Sequence, residues 1–557
     1  LNSEAIAQTA IPPWSARTST RLLLWLVLAA LWFGGLGYLD LMHPDEGRYS
    51  EISREMASSG DWVTPRLNGL KYFEKPPLQY WATAAAFKAF GESEFVARLW
   101  VGLCGFATVI LVRRTALRLW GARTADYAGI TCASMMWIAS MSHIVTLDMG
   151  VTFFMTLALC GFLLAQHDGA TEKATRRWMW IVWAALAGAL LSKGLIGLVL
   201  PGAVLVLYSA ICRDWRPWAR LRWFSGLPIF SALAVPWHVL VARRNPEWAD
   251  FYFMHEHFDR FLTTEHHREG AWYYFIPLLA AGLLPWATLL PQILKRGWRP
   301  DTARFRANRF LLIWSAFVFV FFSSSGSKLP SYILPMFPAV ALLLAQVLAA
   351  ARPGSMRVHA TVIVVLMVAV GAGVLIFGDT GEDKTPMEFN RAFSHWAVAG
   401  SLVFALMGVA AVRAAVAHRE LQSVLLLAAG SLLFFNAVIL GYQSYSPLLS
   451  SAVLAGKLRP MLAPDTPVFA VQSYDQTLPF YLKRTVTLVD YVSEFEMGEK
   501  QEPEKWVHDL EDFARLWREL PQGVAVMDLD TLALLQRQGL PMQVIDRTPR
   551  RVVVRKP

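Results

Sequence analysis

The chain has 557 residues, of which 55% are hydrophobic and only 17% are charged; a soluble chain of this length carries nearer a quarter of its residues as charged ones. Its formal charge of +10 does not point to nucleic acid, because the arginines lie between apolar blocks, where the cytoplasmic links of a membrane protein carry them. The four cysteines, Cys104, Cys132, Cys160 and Cys212, fall within or at the end of apolar blocks with no metal-ligand spacing, and read as small packed hydrophobes.

In chain order, the first polar stretch reads as a short cytoplasmic tail and not a signal peptide, since the apolar block after it is long and lacks a small-residue cleavage site. Apolar blocks follow near 22–39, 96–112, 125–141, 149–166, 178–193, 195–212, 224–242, 273–294, 309–324, 332–350, 358–378, 393–412 and 421–441. Their lengths predict about thirteen helical spans, each able to cross roughly 30 Å of hydrocarbon. One set of links is basic: Arg113, Arg114, Arg118 and Arg123, then Lys173, Arg176 and Arg177, then Arg213, Arg216, Arg220 and Arg222, then 295–309. The alternate links, 40–95, 142–148, 243–272, 325–331 and 379–392, are acidic or mixed. The positive-inside rule places the basic set in the cytoplasm and the other set outside.

Beyond residue 442 the pattern changes. The runs 467–472, 485–490, 523–528, 542–545 and 552–555 are short and β-branched, and 502–519 and 529–538 read as helices between them. The alternation predicts a small α/β domain. The division is therefore a membrane domain over 1–442 and an external α/β domain over 443–557. The fold class is mainly α: a polytopic transmembrane bundle with a C-terminal periplasmic domain.

The first external loop, 40–95, is the densest in chemistry. It opens with Asp40 to Glu51, containing His43-Pro44-Asp45-Glu46-Gly47-Arg48-Tyr49. Pro44 suits the start of a helix, and Asp45 and Glu46 suit its positive end, a role as ready for them as a catalytic one. Tyr49, Ile52 and Met56 recur at helical spacing, which predicts a helix lying along the membrane surface with its apolar face down. Next comes Tyr72-Phe73-Glu74-Lys75-Pro76-Pro77, whose paired prolines mark the start of a second surface helix. Glu74 and Lys75 taken alone read as a solvated loop pair, which is worth little energetically.

Together these two motifs resemble the first external loop of the GT-C glycosyltransferases. Within that class they look like the lipid A aminoarabinose transferases and their relatives, the protein O-mannosyltransferases. The resemblance continues through Lys193-Gly194-Leu195-Ile196-Gly197, Glu256-His257-Phe258-Asp259-Arg260-Phe261 and Ser327-Lys328-Leu329-Pro330-Ser331-Tyr332. Leu478-Pro479-Phe480-Tyr481 is similar to a motif of the aminoarabinose branch.

The resemblance implies a GT-C fold and a sugar donor linked to undecaprenyl phosphate. It implies catalytic roles for Asp45, Glu46 and Asp148. It also implies substrate contacts from Tyr49, Tyr72, Glu74, Lys75, Lys193, His257, Arg260, Lys328 and Tyr332. A phosphate leaving group is already a good anion, so the reaction needs positive charge where negative charge develops; Lys75, Lys193 and Arg260 are the candidates. Lys193 read by itself also suits snorkelling to the interface. One displacement without a covalent sugar–enzyme intermediate would invert the anomeric centre. Glu74, His255 and His257 are candidate ligands for a divalent metal, and equally suit ordinary interfacial polar roles.

The leading expectation is transfer of 4-amino-4-deoxy-L-arabinose from undecaprenyl phosphate to lipid A phosphates. The reaction would take place at the periplasmic face of a Gram-negative inner membrane, with membrane lipids as further partners and no nucleic acid. Protein O-glycosyl transfer is the alternative. A transporter or lipid flippase is the distant one, since no internal repeat stands out and the notable charges lie outside the membrane midplane.

Overall fold

A computed structural model of the chain describes residues 18–252, 270–300, 302–382 and 384–557. Every apolar block expected to span falls on helix. Among the described residues eight helices are long and apolar enough to cross a membrane, from Glu94–Trp120 to Glu420–Leu449, and the count rises to nine if a bent pair is taken as one span. The protein is a multi-pass membrane protein.

The blocks outside that count explain the difference from about thirteen. Thr18–Phe33 and Ile196–Cys212, with 16 and 17 residues, are short for a full span. Glu172–Lys193 carries Glu172, Lys173, Arg176 and Arg177 in its first turns. The block 125–141 is interrupted at Met135, which has extended backbone between Ala122–Ser134 and Met136–Met141. The block 273–294 is broken into Phe275–Gly282 and Ala287–Trp298, which meet at 108°.

The two interruptions support each other. Irregular backbone in a bundle must find protein partners where water is absent. The Met136 amide donates to the Leu284 carbonyl at 3.1 Å, and the Trp286 indole donates to Ser134 Oγ at 3.1 Å. Each break thus supplies the groups that the other leaves open.

The C-terminal region forms a five-stranded mixed sheet. A hairpin, β1 (Arg66–Leu67) and β2 (Leu70–Lys71), lies in the first external loop. The sheet strands are β3 (Val468–Val471), β4 (Thr487–Val489), β5 (Val524–Met527), β6 (Gln543–Arg547) and β7 (Val552–Arg555). Their order is β4-β3-β5-β7-β6, with β3 parallel to β4 and β5, and β7 antiparallel to β5 and β6. Each run expected to be a strand contains one. The helix expected over 502–519 begins later, at Leu510, because Asp509 caps it by accepting from the Asp512 amide at 2.8 Å.

Side chains alternate faces along a strand, and both faces of the strands β3, β5 and β7 are buried. Phe469, Ala525, Met527, Val552 and Val554 face a layer containing Phe513, Trp517 and Leu535. Val468, Ala470, Val524, Val526 and Val553 share a core with the first external loop. That core includes Tyr49, Ile52 and Met56 of the helix Asp45–Ser59. The helix expected to rest on the membrane surface therefore turns its apolar stripe into a core shared with the sheet. Periodicity shows that a face is buried; it does not show what buries it.

Candidate active site

The helix Asp45–Ser59 starts directly after Pro44 and carries Asp45 and Glu46 in its first turn. The two acids have different environments. Glu46 is only 4% exposed. It accepts from Arg98 Nε at 2.8 Å, Arg98 Nη2 at 2.7 Å, the Met42 amide at 3.1 Å and the Val145 amide at 3.0 Å. Arg98 in turn donates to the carbonyls of Leu36, Leu39 and Asp40. With both carboxylate oxygens turned to Arg98 and two backbone amides, Glu46 in this structure ties together the ends of the surrounding helices. The Asp45 side chain, at 43% exposure, meets Arg48 at 3.2 Å.

The segment Tyr72–Pro77 links β2 to the helix Leu78–Phe90. Phe73 is buried in a cluster with Leu191, Trp237 and Trp248, which pins the loop against the end of the Glu172–Lys193 helix. The two residues after it, Glu74 and Lys75, reach a cavity of about 440 Å³. Lys75 Nζ donates to the Glu74 carbonyl at 2.8 Å and stands 3.9 Å from the Glu74 carboxylate.

The cavity has a mixed lining. Glu74, Lys75, Asp148, Lys193 and Tyr332 supply polar lining, and Val199, Leu200, Phe321 and Pro335 supply apolar lining. Lys193 occupies the last turn of its helix, which ends at Gly194 with φ 79°, a left-handed conformation that glycine adopts without a Cβ penalty. Asp148 occupies the first turn of the helix Leu147–Gln166. The two side chains hydrogen-bond to each other, each carrying the sign that its helix end favours. Lys193 Nζ also lies 5.0 Å from the centre of the Tyr332 ring, within cation–π range. It therefore points into the cavity and does not snorkel outward.

Tyr332 stands on the 3₁₀ turn Pro330–Met336 that leads into Phe337–Ala349. Lys328 lies just ahead of that turn, and its Nζ donates to the Ser325 carbonyl at 2.8 Å beside the cavity residues Ser325 and Ser327. Tyr49 and Tyr72 do not line the cavity; both are buried, with Tyr80, behind it. Burial pushes the Tyr49 phenol well above its usual range. Asp45 adds to the rise, Arg48 opposes it, and Glu74 and Asp148 add further. One buried ring thus feels three of the expected site carboxylates.

His255, His257 and Arg260 lie outside the described residues. Of the candidate metal ligands only Glu74 is described, and no group of three His, Cys, Asp or Glu suited to a metal ion occurs among the described residues. Sequence reasoning missed Arg98, the partner of Glu46 from 52 residues away, and Glu494, a partner of Arg48 from 446 residues away. Neither sits in a motif, and a lone charge carries no signal of so distant a partner.

A cavity whose lining combines lysine ammonium groups with apolar side chains suits an amphiphile with an anionic head and a hydrocarbon tail. Comparison with known proteins gives a consistent picture. Residues 454–556 match the family described as the aminoarabinose transferase C-terminal domain. Residues 17–252 match that described as dolichyl-phosphate-mannose-protein mannosyltransferase. The undecaprenyl phosphate-alpha-4-amino-4-deoxy-L-arabinose arabinosyl transferase of Erwinia tasmaniensis is 31% identical over 396 residues, covering 69% of this chain and 70% of that protein. Its counterpart in Pseudomonas aeruginosa is 34% identical over 336 residues, 60% of each chain. The crystal structure of ArnT from Cupriavidus metallidurans bound to undecaprenyl phosphate matches with a TM-score of 0.93 and 37% identity, over 97% of this chain and 98% of that one.

Proposed function

The chain belongs to the aminoarabinose transferase family, and from that premise we propose that it transfers 4-amino-4-deoxy-L-arabinose from undecaprenyl phosphate to lipid A phosphates. The observation that carries this reading is the mixed lining of the cavity, in which Lys75 and Lys193 share one pocket with Val199, Phe321 and Pro335. A polyprenyl tail is too apolar to leave the bilayer, so its phosphate must be met where the spans end. Asp148 and Lys193 mark such an end.

In this mechanism the two lysines hold the donor phosphate and stabilise the charge that grows on it as the glycosidic bond breaks. Arg260, outside the described residues, is proposed to join them, with His257, Lys328 and Tyr332 contacting substrate. The nucleophile is a phosphate oxygen of lipid A, already ionised near neutral pH because a phosphate monoester has its second pKa near 6. No strong base is then needed, and Asp45 acts by orienting the acceptor or the donor's amino group. A single displacement inverts the anomeric centre. The basic links favour the cytoplasm for the opposite ends of the spans, which supports a periplasmic location for the cavity and residues 443–557.

The match of residues 17–252 to the mannosyltransferase family favours a second reading, in which the acceptor is a protein Ser or Thr hydroxyl. Such a nucleophile must lose a proton as it attacks, and Asp45 would be the base. Mass spectrometry of lipid A separates the two readings. A strain that makes the donor but lacks its own transferase should gain pentosamine-sized additions on expressing this chain, and lose them with Asp45→Asn. Unmodified lipid A together with newly glycosylated secreted proteins would overturn the lipid A reading.

A further inference from the structure

Arg48 lies between two carboxylates contributed by distant parts of the chain. Its Nη1 meets Asp45 Oδ1 at 3.2 Å and its Nη2 meets Glu494 Oε1 at 3.3 Å. The same Glu494 oxygen accepts from Gln476 Nε2 at 2.7 Å. Glu494 belongs to the C-terminal region, between β4 and the helix Glu496–Gln501. The approach is close: a Cβ on Gly47 would lie 2.5 Å from the Gln476 carbonyl carbon and the Thr477 amide nitrogen. Glycine at 47 thus lets the catalytic-loop helix press against the segment that orients Glu494.

We infer that Glu494 is a positioning residue for the transfer reaction, drawing Arg48 toward the C-terminal domain so that the Asp45 carboxylate stays exposed. Two features of the geometry support this. First, Arg48 and Glu494 are 13% and 6% exposed, whereas Asp45 is 43% exposed, so the inner pair is largely desolvated and the outer contact is not. A desolvated ion pair that loses one partner leaves a charge that must find another. Second, Arg48 Nε is buried with no hydrogen-bond partner among the described residues. The guanidinium therefore spends one terminal nitrogen on each carboxylate and keeps donor capacity in reserve. With both acids present the three side chains carry a net charge of about −1, and Asp45 keeps its negative character. Without the Glu494 charge, Arg48 keeps its hydrogen bond to Asp45 and the more distant charge of Glu74, and can grip Asp45 with two parallel hydrogen bonds, the geometry that guanidinium and carboxylate prefer.

This inference rests on the proposed transferase activity, but its test does not depend on that activity alone. The direct readout is the rate at which Asp45 is labelled by carbodiimide and glycine ethyl ester in the detergent-solubilised full chain, followed by mass spectrometry. Glu494→Gln should slow Asp45 labelling several-fold, and Glu494→Asp should restore it. The control is Glu502→Gln, which removes a different ion pair between the same loop and the C-terminal region: Glu502 accepts from Arg66 at 2.9 Å and from the Lys71 amide at 3.0 Å. That variant should lower thermal stability and leave Asp45 labelling as in the wild type. In the transfer assay Glu494→Gln should lower kcat about tenfold with little change in donor KM, and Glu502→Gln should not. Wild-type Asp45 labelling in Glu494→Gln, or equal loss of labelling in Glu494→Gln and Glu502→Gln, overturns the inference. A wild-type chain that transfers nothing overturns the proposed function instead, and the labelling result still decides the role of Glu494.

Discussion

Lys193, in the last turn of one helix, hydrogen-bonds to Asp148 in the first turn of the helix before it. The pair joins two consecutive helices at the end where the cavity lies, and it leaves the ammonium over the Tyr332 ring. An ammonium held in this way has a carboxylate on one side and an aromatic face on another, which fixes its position at the cavity.

From that arrangement, Lys193→Ala should lower transfer at least tenfold, mostly through donor KM, because it removes a charge that a bound phosphate uses in the ground state as well as later. Asp148→Asn releases the ammonium from its anchor and should also be damaging. The two losses should not add in the double variant, since the residues touch. A steady-state double-mutant cycle with a short-chain polyprenyl donor checks this; strict additivity would mean that the two side chains act separately.

The adjacent acids Asp45 and Glu46 should separate cleanly. Glu46→Ala strands Arg98, which is 1% exposed; removing one partner of a buried pair costs about 3–5 kcal/mol. The expected result is a large drop in melting temperature in detergent, or loss of folded protein. Asp45→Asn should melt near the wild type and lose transfer. Thermal unfolding beside the lipid A assay tests both, and a stable but inactive Glu46→Ala would reverse the assignment.

Tyr332→Phe keeps a ring beneath Lys193 and should retain most of its activity, whereas Tyr332→Leu should not. An ammonium over an aromatic face is worth about 0.5–2 kcal/mol depending on its desolvation, so the leucine variant should lose roughly two- to thirtyfold from the lost contact. Donor titration of both variants measures it. A Phe variant as poor as Leu would show that the hydroxyl contacts substrate directly.

Glu55 gives a pH signature in the stability of the external loop. Burial pushes its carboxyl up to about 8, and the Glu51 charge adds to the rise, against the Gly69 amide and Arg54. From about 4.5, its ordinary value, to about 8, the unfolded chain releases this proton and the folded chain keeps it, so stability falls as pH rises through that window. The fall is at most about 1.4 kcal/mol per pH unit. Glu55→Gln should flatten it, and melting temperatures from pH 5 to 8.5 for both proteins are the check. An unchanged slope in Glu55→Gln would move the effect to another group.

Much of this architecture was legible in the chain. The apolar blocks marked every long helix, and the short β-branched runs marked the five sheet strands. Glu74, Lys75, Asp148, Lys193 and Tyr332, picked out by motif and by position at span ends, all line one cavity. These features are local: hydrophobic length, strand alternation and a charge at a helix end are set by residues close in sequence.

What the fold alone decided was partnership. Asp45 and Glu46 are neighbours with the same chemistry, yet one faces Arg48 and stays exposed while the other is locked to Arg98. The stripe of Tyr49, Ile52 and Met56 had a buried face written in its spacing, but only packing chose the C-terminal core over the bilayer. The interrupted block 125–141 reads as one span until the Met136 amide is seen to meet the Leu284 carbonyl across the break. In each case the deciding contact lies tens to hundreds of residues away. The sequence by itself set each element's type, length and charge. The tertiary structure set which buried polar groups would meet, because burying an ionic or backbone group is tolerable only where another element brings its partner.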